Sequence, residues 1–113
     1  VATKAHIDQA SFEVQLRKLI CQQLAGITLP DVAAYFHISI PYASDLIRQI
    51  TGSNFTALVL EERMRESEKL LKNSNVPVSK VALLSGYQEP SYFMKVFKKY
   101  FGCTPSQYRD SQK

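Results

Sequence analysis

Apolar residues recur along this chain at steps of three and four, and strict alternation of apolar and polar residues is scarce. That period belongs to helices with one buried face. The chain is therefore expected to be all-α, with seven helices joined by short turns. The first is expected from about Ser11 to Leu24, where Phe12, Leu16, Leu19, Ile20 and Leu24 share a face, with Ser11 as N-cap and Gly26 as stop. The second runs from about Leu29 to Phe36, with Pro30 in a first turn that needs no N–H from it. The third starts near Ser39 to Pro41, capped by Ser39, and ends at Gly52. The fourth runs from about Phe55 to Lys72 behind Asn54. Its middle, Glu61-Glu62-Arg63-Met64-Arg65-Glu66, is so charged that a largely solvated rod is expected. Asn73-Ser74-Asn75-Val76-Pro77 breaks the pattern. A fifth helix then runs from Ser79 to about Ser85 and a sixth from Pro90 to Phe101, with the turn Gly86-Tyr87-Gln88-Glu89 between them. Thr104-Pro105 starts a short last helix through Tyr108 and Arg109.

The chain also resembles itself. Asp31-Val32-Ala33-Ala34 aligns with Lys80-Val81-Ala82-Leu83 at an offset of 49. After a turn one residue longer in the second copy, the offset becomes 50. Tyr42 then pairs with Tyr92, Leu46 with Val96, Ile47 with Phe97, Arg48 with Lys98 and Gly52 with Gly102. Each copy is a short helix, a tight turn and a longer helix closed by glycine. That is the layout of a helix-turn-helix unit, whose second helix lies in the major groove of DNA. Ala33 and Ala82 are small where the paired helices would cross. The linking helix, about 18 residues at 1.5 Å each, makes a rod of roughly 27 Å. Successive major-groove faces on one side of B-DNA lie about 34–36 Å apart. Allowing for the packing of each unit beyond the rod, one chain is expected to reach two adjacent groove segments.

Charge sharpens this reading. The net charge is +4. Basic and acidic residues balance up to Pro77. From Val78 onward six basic residues face only Glu89 and Asp110, so the whole excess sits in the last third. On the sixth helix Ser91, Tyr92 and Lys95 lie away from Phe93, Val96, Phe97 and Tyr100, which are expected to be core. Lys98 and Lys99 are expected to meet phosphate or stay solvated rather than read bases. Glu89 is expected to cap the helix start, where a negative charge suits the dipole. On the third helix Pro41, Tyr42, Ser44, Asp45, Arg48 and Gln49 face outward, with Ala43, Leu46, Ile47 and Ile50 inward. These outward residues, with Pro90, Ser91, Tyr92, Lys95, Lys98 and Lys99, are the candidate DNA contacts.

Other chemistries find little support. His6 and His37 are isolated, and no metal-ligand spacing, Ser/His/Asp order or glycine-rich phosphate loop appears. No catalytic role, metal or cofactor is expected. Cys21 and Cys103 form no CxxC and are expected to be buried or half-buried thiols, with a disulfide possible but not implied. No apolar run approaches the roughly 20 residues that span a bilayer, and no signal peptide is visible, so no membrane contact and a cytoplasmic location are expected. The chain starts at Val1 rather than Met and is expected to be part of something longer.

The stretch Gly86-Tyr87-Gln88-Glu89-Pro90-Ser91-Tyr92-Phe93, continued by Phe97-Lys98-Lys99-Tyr100-Phe101-Gly102-Cys103-Thr104-Pro105-Ser106-Gln107-Tyr108-Arg109, resembles the AraC/XylS family of bacterial transcription regulators. The family pattern is a glycine and an aromatic, a Ser-Tyr-Phe-like helix start, Phe-Lys-Lys, a glycine, Thr-Pro and Tyr-Arg. The resemblance covers about residues 11 to 111. It implies a seven-helix DNA-binding domain that usually follows a sensor or dimerisation domain and usually activates transcription on promoter DNA beside RNA polymerase. On this reading residues 1–10 are a tail or linker and 11–111 the DNA-binding domain. That domain holds a first helix-turn-helix at about 29–50, a linking helix at about 55–72 and a second helix-turn-helix at about 79–101. Departures fall in the first unit and the linking helix. Asp45 and Ile47 stand where the family often has a basic or polar residue and an aromatic. Val59 and Ser67 stand where it often has Tyr and Ala. Asp45 would be repelled by phosphate but can accept from a cytosine amino group. A rival reading stays open: a helical protein-interaction module whose basic face meets an acidic partner. A sharp preference for one DNA sequence over random DNA separates the two.

Overall fold

The computed structural model describes residues 8–112, and every regular element among them is an α-helix. In chain order these are α1 (Gln9–Gln22), α2 (Leu29–Phe36), α3 (Ile40–Thr51), α4 (Phe55–Asn73), α5 (Val78–Leu84), α6 (Pro90–Phe101) and α7 (Pro105–Ser111). They form two compact units whose boundary falls within α4, after Glu62. Of the tail expected over 1–10, residues 1–7 lie outside the described residues, while Gln9 and Ala10 are already helical. The helix starts early because Asp8, not Ser11, is the cap: its carboxylate accepts from the Ser11 N–H at 3.3 Å. The Ser11 hydroxyl instead accepts from the Gln15 amide at 2.8 Å. At the other end α1 stops at Gln22, short of the expected Leu24. A turn in which the Gly26 and Ile27 N–H groups both donate to the Gln23 carbonyl lets Leu24 and Ile27 point into the core.

In the first unit Phe12, Leu16 and Ile20 of α1, Val32 of α2, Ile47 of α3 and Leu58 of α4 are fully buried together. Each such side chain contributes about 1.5–3 kcal/mol relative to exposure. The Phe12 and Phe36 rings meet with centroids 4.5 Å apart. Thr28 and Asp31 form a reciprocal capping box at the start of α2. Ser39 caps α3 by accepting from the Tyr42 N–H at 3.2 Å. Asn54 caps α4 by accepting from the Ala57 N–H at 2.8 Å.

The charged middle of α4 is not the solvated rod that its composition suggests. Glu62 is only 3% exposed. One of its carboxylate oxygens accepts from Arg17 Nη1 at 2.6 Å and the other from the Cys21 thiol at 3.1 Å. Arg17 also reaches Glu13 at 3.1 Å and Glu61 at 3.4 Å. Burial works against the Arg17 charge, but the hydrogen bonds to Glu62 and Glu13 and the field of Glu61 outweigh it and hold the guanidinium above its ordinary value. Cys21, expected to be at least half-buried, lies exposed on α1, off its buried face, while its thiol donates to this carboxylate; Cys103 is half-buried.

The second unit is built around aromatic rings. Met64 and Leu71 of α4, Val81 and Ala82 of α5, Phe93 and Phe97 of α6 and Pro105 of α7 are buried. Phe97 lies 5.7 Å from Phe93, 4.5 Å from Phe101 and edge-on to Tyr108 at 5.6 Å. Arg109 ties α7 to the end of α4. Its guanidinium donates to the carbonyls of Val76 at 2.6 Å, Leu71 at 3.3 Å and Leu70 at 3.5 Å. The Leu70 and Leu71 carbonyls belong to the last turn of α4, where a cation suits the dipole; the Leu70 carbonyl also accepts from the Ser74 N–H at 3.1 Å and the Ser74 hydroxyl at 2.7 Å. The Tyr108 hydroxyl donates to Glu68. Tyr100, expected in the core, is 47% exposed. Tyr108 already packs beside Phe97 and Phe101, and the Tyr100 ring rests edge-on against Phe101 at 4.9 Å instead.

Candidate nucleic-acid interface

Both helical hairpins turn in the same way. At the end of α2 the His37 N–H donates to the Ala34 carbonyl and the Ile38 N–H to the Ala33 carbonyl. At the end of α5 Gly86 donates to Leu83 and Tyr87 to Ala82, the same pattern shifted by 49 residues. The residue that turns the chain is left-handed in both copies, His37 at φ 57° and Gly86 at φ 99°. That conformation suits glycine and strains a side chain, so the second copy has the easier turn. Ala33 and Ala82 are buried at 3% and 0%. Their methyl groups allow α2 to pack close to α3, and α5 close to α6. The longer helices close at Gly52 and Gly102.

On α6, Phe93 and Phe97 are buried, while Ser91, Tyr92, Lys95, Lys98 and Lys99 are exposed; Pro90 is half-buried at the helix start. At 3.6 residues per turn the five exposed residues occupy roughly a third of the helix circumference, opposite the core. Three ammonium groups therefore share one face with no acidic residue on it. Glu89 sits at the N-cap position, but its side chain makes no capping hydrogen bond. Pro90 removes one N–H from that first turn, which leaves less for a cap to satisfy.

On α3, Ala43, Leu46 and Ile47 are buried. Pro41, Asp45, Arg48 and Gln49 are exposed, while Tyr42 and Ser44 are half-buried, with Tyr42 packed against the first core. Pro41, Tyr42, Asp45, Arg48 and Gln49 stand where α6 has Ser91, Tyr92, Lys95, Lys98 and Lys99. The α3 face carries one cation and one anion against three cations on α6. The structure thus gathers each candidate set on one side of its own helix.

The chain matches the family model described as a helix-turn-helix domain over residues 32–111. It belongs to the AraC/XylS family. The HTH-type transcriptional activator FapR of Escherichia coli is 36% identical over 71% of this chain and 30% of its own length. The C-terminal domain of AraT, a response regulator from Geobacillus stearothermophilus, superposes with a TM-score of 0.80 at 31% identity, covering 88% of this chain and 84% of that one. The DNA-binding domain of AdpA, solved in complex with a target DNA, shares the fold with a TM-score of 0.78 at 21% identity, over 91% and 90% of the two chains. The chain spans about a third of the length of the curated relatives it matches, between 27% and 37% for three of them. It is a helix-turn-helix DNA-binding domain of a transcription regulator.

Three features of this AraC/XylS domain escaped sequence reasoning. One is the Arg17–Glu62 pair, whose members stand 45 residues apart. Another is Arg109 on the α4 carbonyls. The third is Arg63, whose guanidinium carbon lies 4.8 Å from the centre of the Tyr87 ring. Only the last left a visible trace, an aromatic placed directly after the glycine of the turn. Among the described residues no cluster of three or more His, Cys, Asp or Glu side chains is arranged to hold a metal ion. None of the described helices is long and apolar enough to cross a membrane.

Proposed function

We propose that this domain binds promoter DNA as a monomer, with α3 and α6 entering successive major-groove segments. Lys95 reads a base edge from the exposed face of α6, with Ser91, Tyr92 and Pro90 beside it at the groove end, while Lys98 and Lys99 meet phosphates. Pro41, Tyr42, Ser44, Asp45, Arg48 and Gln49 form the matching, weaker surface of α3. The observation that carries this reading is the duplicated outward face, which α6 fills with Lys95, Lys98 and Lys99 opposite the buried Phe93 and Phe97. An ammonium can donate to guanine O6 and N7, and flanking lysines neutralise phosphate.

In the whole protein a sensor or dimerisation domain precedes residues 11–111, and the complex acts as a cytoplasmic bacterial activator beside RNA polymerase. The name of FapR, a transcriptional activator, supports the direction of regulation. The domain works by binding rather than by catalysis. Hydroxyl-radical footprinting on a duplex selected from a random pool tests the monomer reading. The expected result is two protected segments about one helical turn apart at one protein per duplex. One protected segment, or binding that requires two protein copies, would contradict it.

A further inference from the structure

Tyr92 is 59% exposed on the outward face of α6, yet its ring is not simply adrift in solvent. Its centroid lies 5.9 Å from that of Tyr87, a tilted ring contact. Tyr87 is 6% exposed and fixed on three sides. Its N–H donates to the Ala82 carbonyl at 2.9 Å, its ring meets Phe93 at 5.5 Å, and Arg63 of α4 lies 4.8 Å from the ring centre. Burial pushes the Tyr87 hydroxyl above its ordinary value, and the Arg63 guanidinium beside it works against that rise. A path of packed groups thus runs from the α4 backbone through Arg63 and Tyr87 to a side chain on the outward face of α6. The first unit has no such path: the residue matching Tyr87 is Ile38, which has neither ring nor hydroxyl.

We infer that Arg63 is a positioning residue for DNA specificity: through the Tyr87 ring it holds Tyr92, and with it the first turn of α6, in the orientation that discriminates between base sequences. The inference rests on the proposed reading of the α6 face. Arg63 acts by geometry and not as a phosphate contact. A planar guanidinium can stack on an aromatic face and donate to a hydroxyl at once, which a lysine ammonium cannot reproduce.

The test uses the whole 113-residue chain. Its probes are the tightest duplex selected from a random pool and a scrambled duplex of equal length, each titrated across a range of salt. Arg63→Lys and Arg63→Met are both expected to lose roughly tenfold in affinity for the selected duplex. Affinity for the scrambled duplex and the salt slope should stay unchanged. A double-mutant cycle of Arg63→Met with Tyr92→Ala should show coupling by a factor of about three or more in binding to the selected duplex. Tyr87→Phe, which keeps the ring and loses the hydroxyl, should fall between wild type and Tyr87→Leu. Helical circular dichroism at the assay temperature confirms that each variant is folded. Equal losses on both duplexes with a shallower salt slope would make Arg63 a phosphate contact and overturn the inference. So would full rescue by Arg63→Lys, or additive Arg63 and Tyr92 effects. If Tyr92→Ala and Lys95→Ala leave binding to both duplexes unchanged, the α6 reading itself fails. If they weaken it while the Arg63 variants do not, only the positioning role fails.

Discussion

The helices α3 and α6 align at five positions, outward on both except at Tyr42. At those positions α3 carries Pro41, Tyr42, Asp45, Arg48 and Gln49, while α6 carries Ser91, Tyr92, Lys95, Lys98 and Lys99. The hairpin turns that aim the two helices share the same backbone hydrogen bonds. The copied feature is therefore the backbone plan, and the chemistry written on it has diverged. The tyrosines show this within one aligned pair: Tyr42 leans half-buried against its own core, whereas Tyr92 stands exposed on Tyr87. The interiors have diverged too. Phe36 stacks on Phe12 in the first unit, but its counterpart in the second is Ser85, wholly buried with its hydroxyl unpartnered. The first unit also buries a carboxylate, Glu62, and answers it with Arg17. A helix-turn-helix geometry alone thus does not say how much each copy contributes to binding.

The largest effect expected from breaking this comparison falls on the first unit. Arg17→Met leaves the buried Glu62 carboxylate without its cation and should cost about 3–5 kcal/mol in urea denaturation. Pairing it with Glu62→Leu should recover most of that loss, because an apolar pair of similar volume removes both charges. A loss below about 1 kcal/mol for the single variant would mean that water solvates Glu62 despite its burial. In the second unit the expected sign is reversed. Ser85→Ala removes a buried hydroxyl with no partner and should stabilise the chain by about 1 kcal/mol. Destabilisation would reveal that this hydroxyl does find a partner in solution. The smallest effect concerns DNA. Asp45→Lys gives α3 the cation that α6 has in Lys95, and should steepen the salt dependence of non-specific binding by about one counterion. An unchanged slope would show that position 45 stays away from the phosphates.

The seven helices were legible because a buried face at helical spacing marks each of them, and because Ser39, Asn54 and Thr104 carry their capping roles on short side chains next to the backbone they cap. The outward face of α6 was legible for the same reason: Lys95 and Phe93 fall on opposite sides of one helix. Long-range pairing was not legible. Glu62 reads as a surface charge until Arg17 and Cys21 are brought beside it from α1. Tyr100 reads as core until Tyr108 of α7 is seen packing against Phe97 and Phe101. Arg63 reads as one more charge on a charged helix until the α5–α6 turn carries Tyr87 beneath it. Each miss has one cause: periodicity reports which side of a helix faces inward, but not what arrives from another helix.

The inequality of the two outward faces is tested most directly by Lys95→Ala and Asp45→Ala, measured side by side against a panel of single-base variants of one selected duplex. Lys95→Ala should cost about 1–3 kcal/mol on the parent duplex and flatten the preference at one base pair. Asp45→Ala removes a charge that phosphates repel and should leave every preference intact, with affinity unchanged or slightly tighter. If Lys95→Ala instead weakens all duplexes alike with a shallower salt slope, Lys95 is a phosphate contact and the base-reading assignment fails. A loss for Asp45→Ala equal to that of Lys95→Ala, with its own flattened base pair, would show α3 reading a cytosine amino group and would contradict the unequal division between the two units.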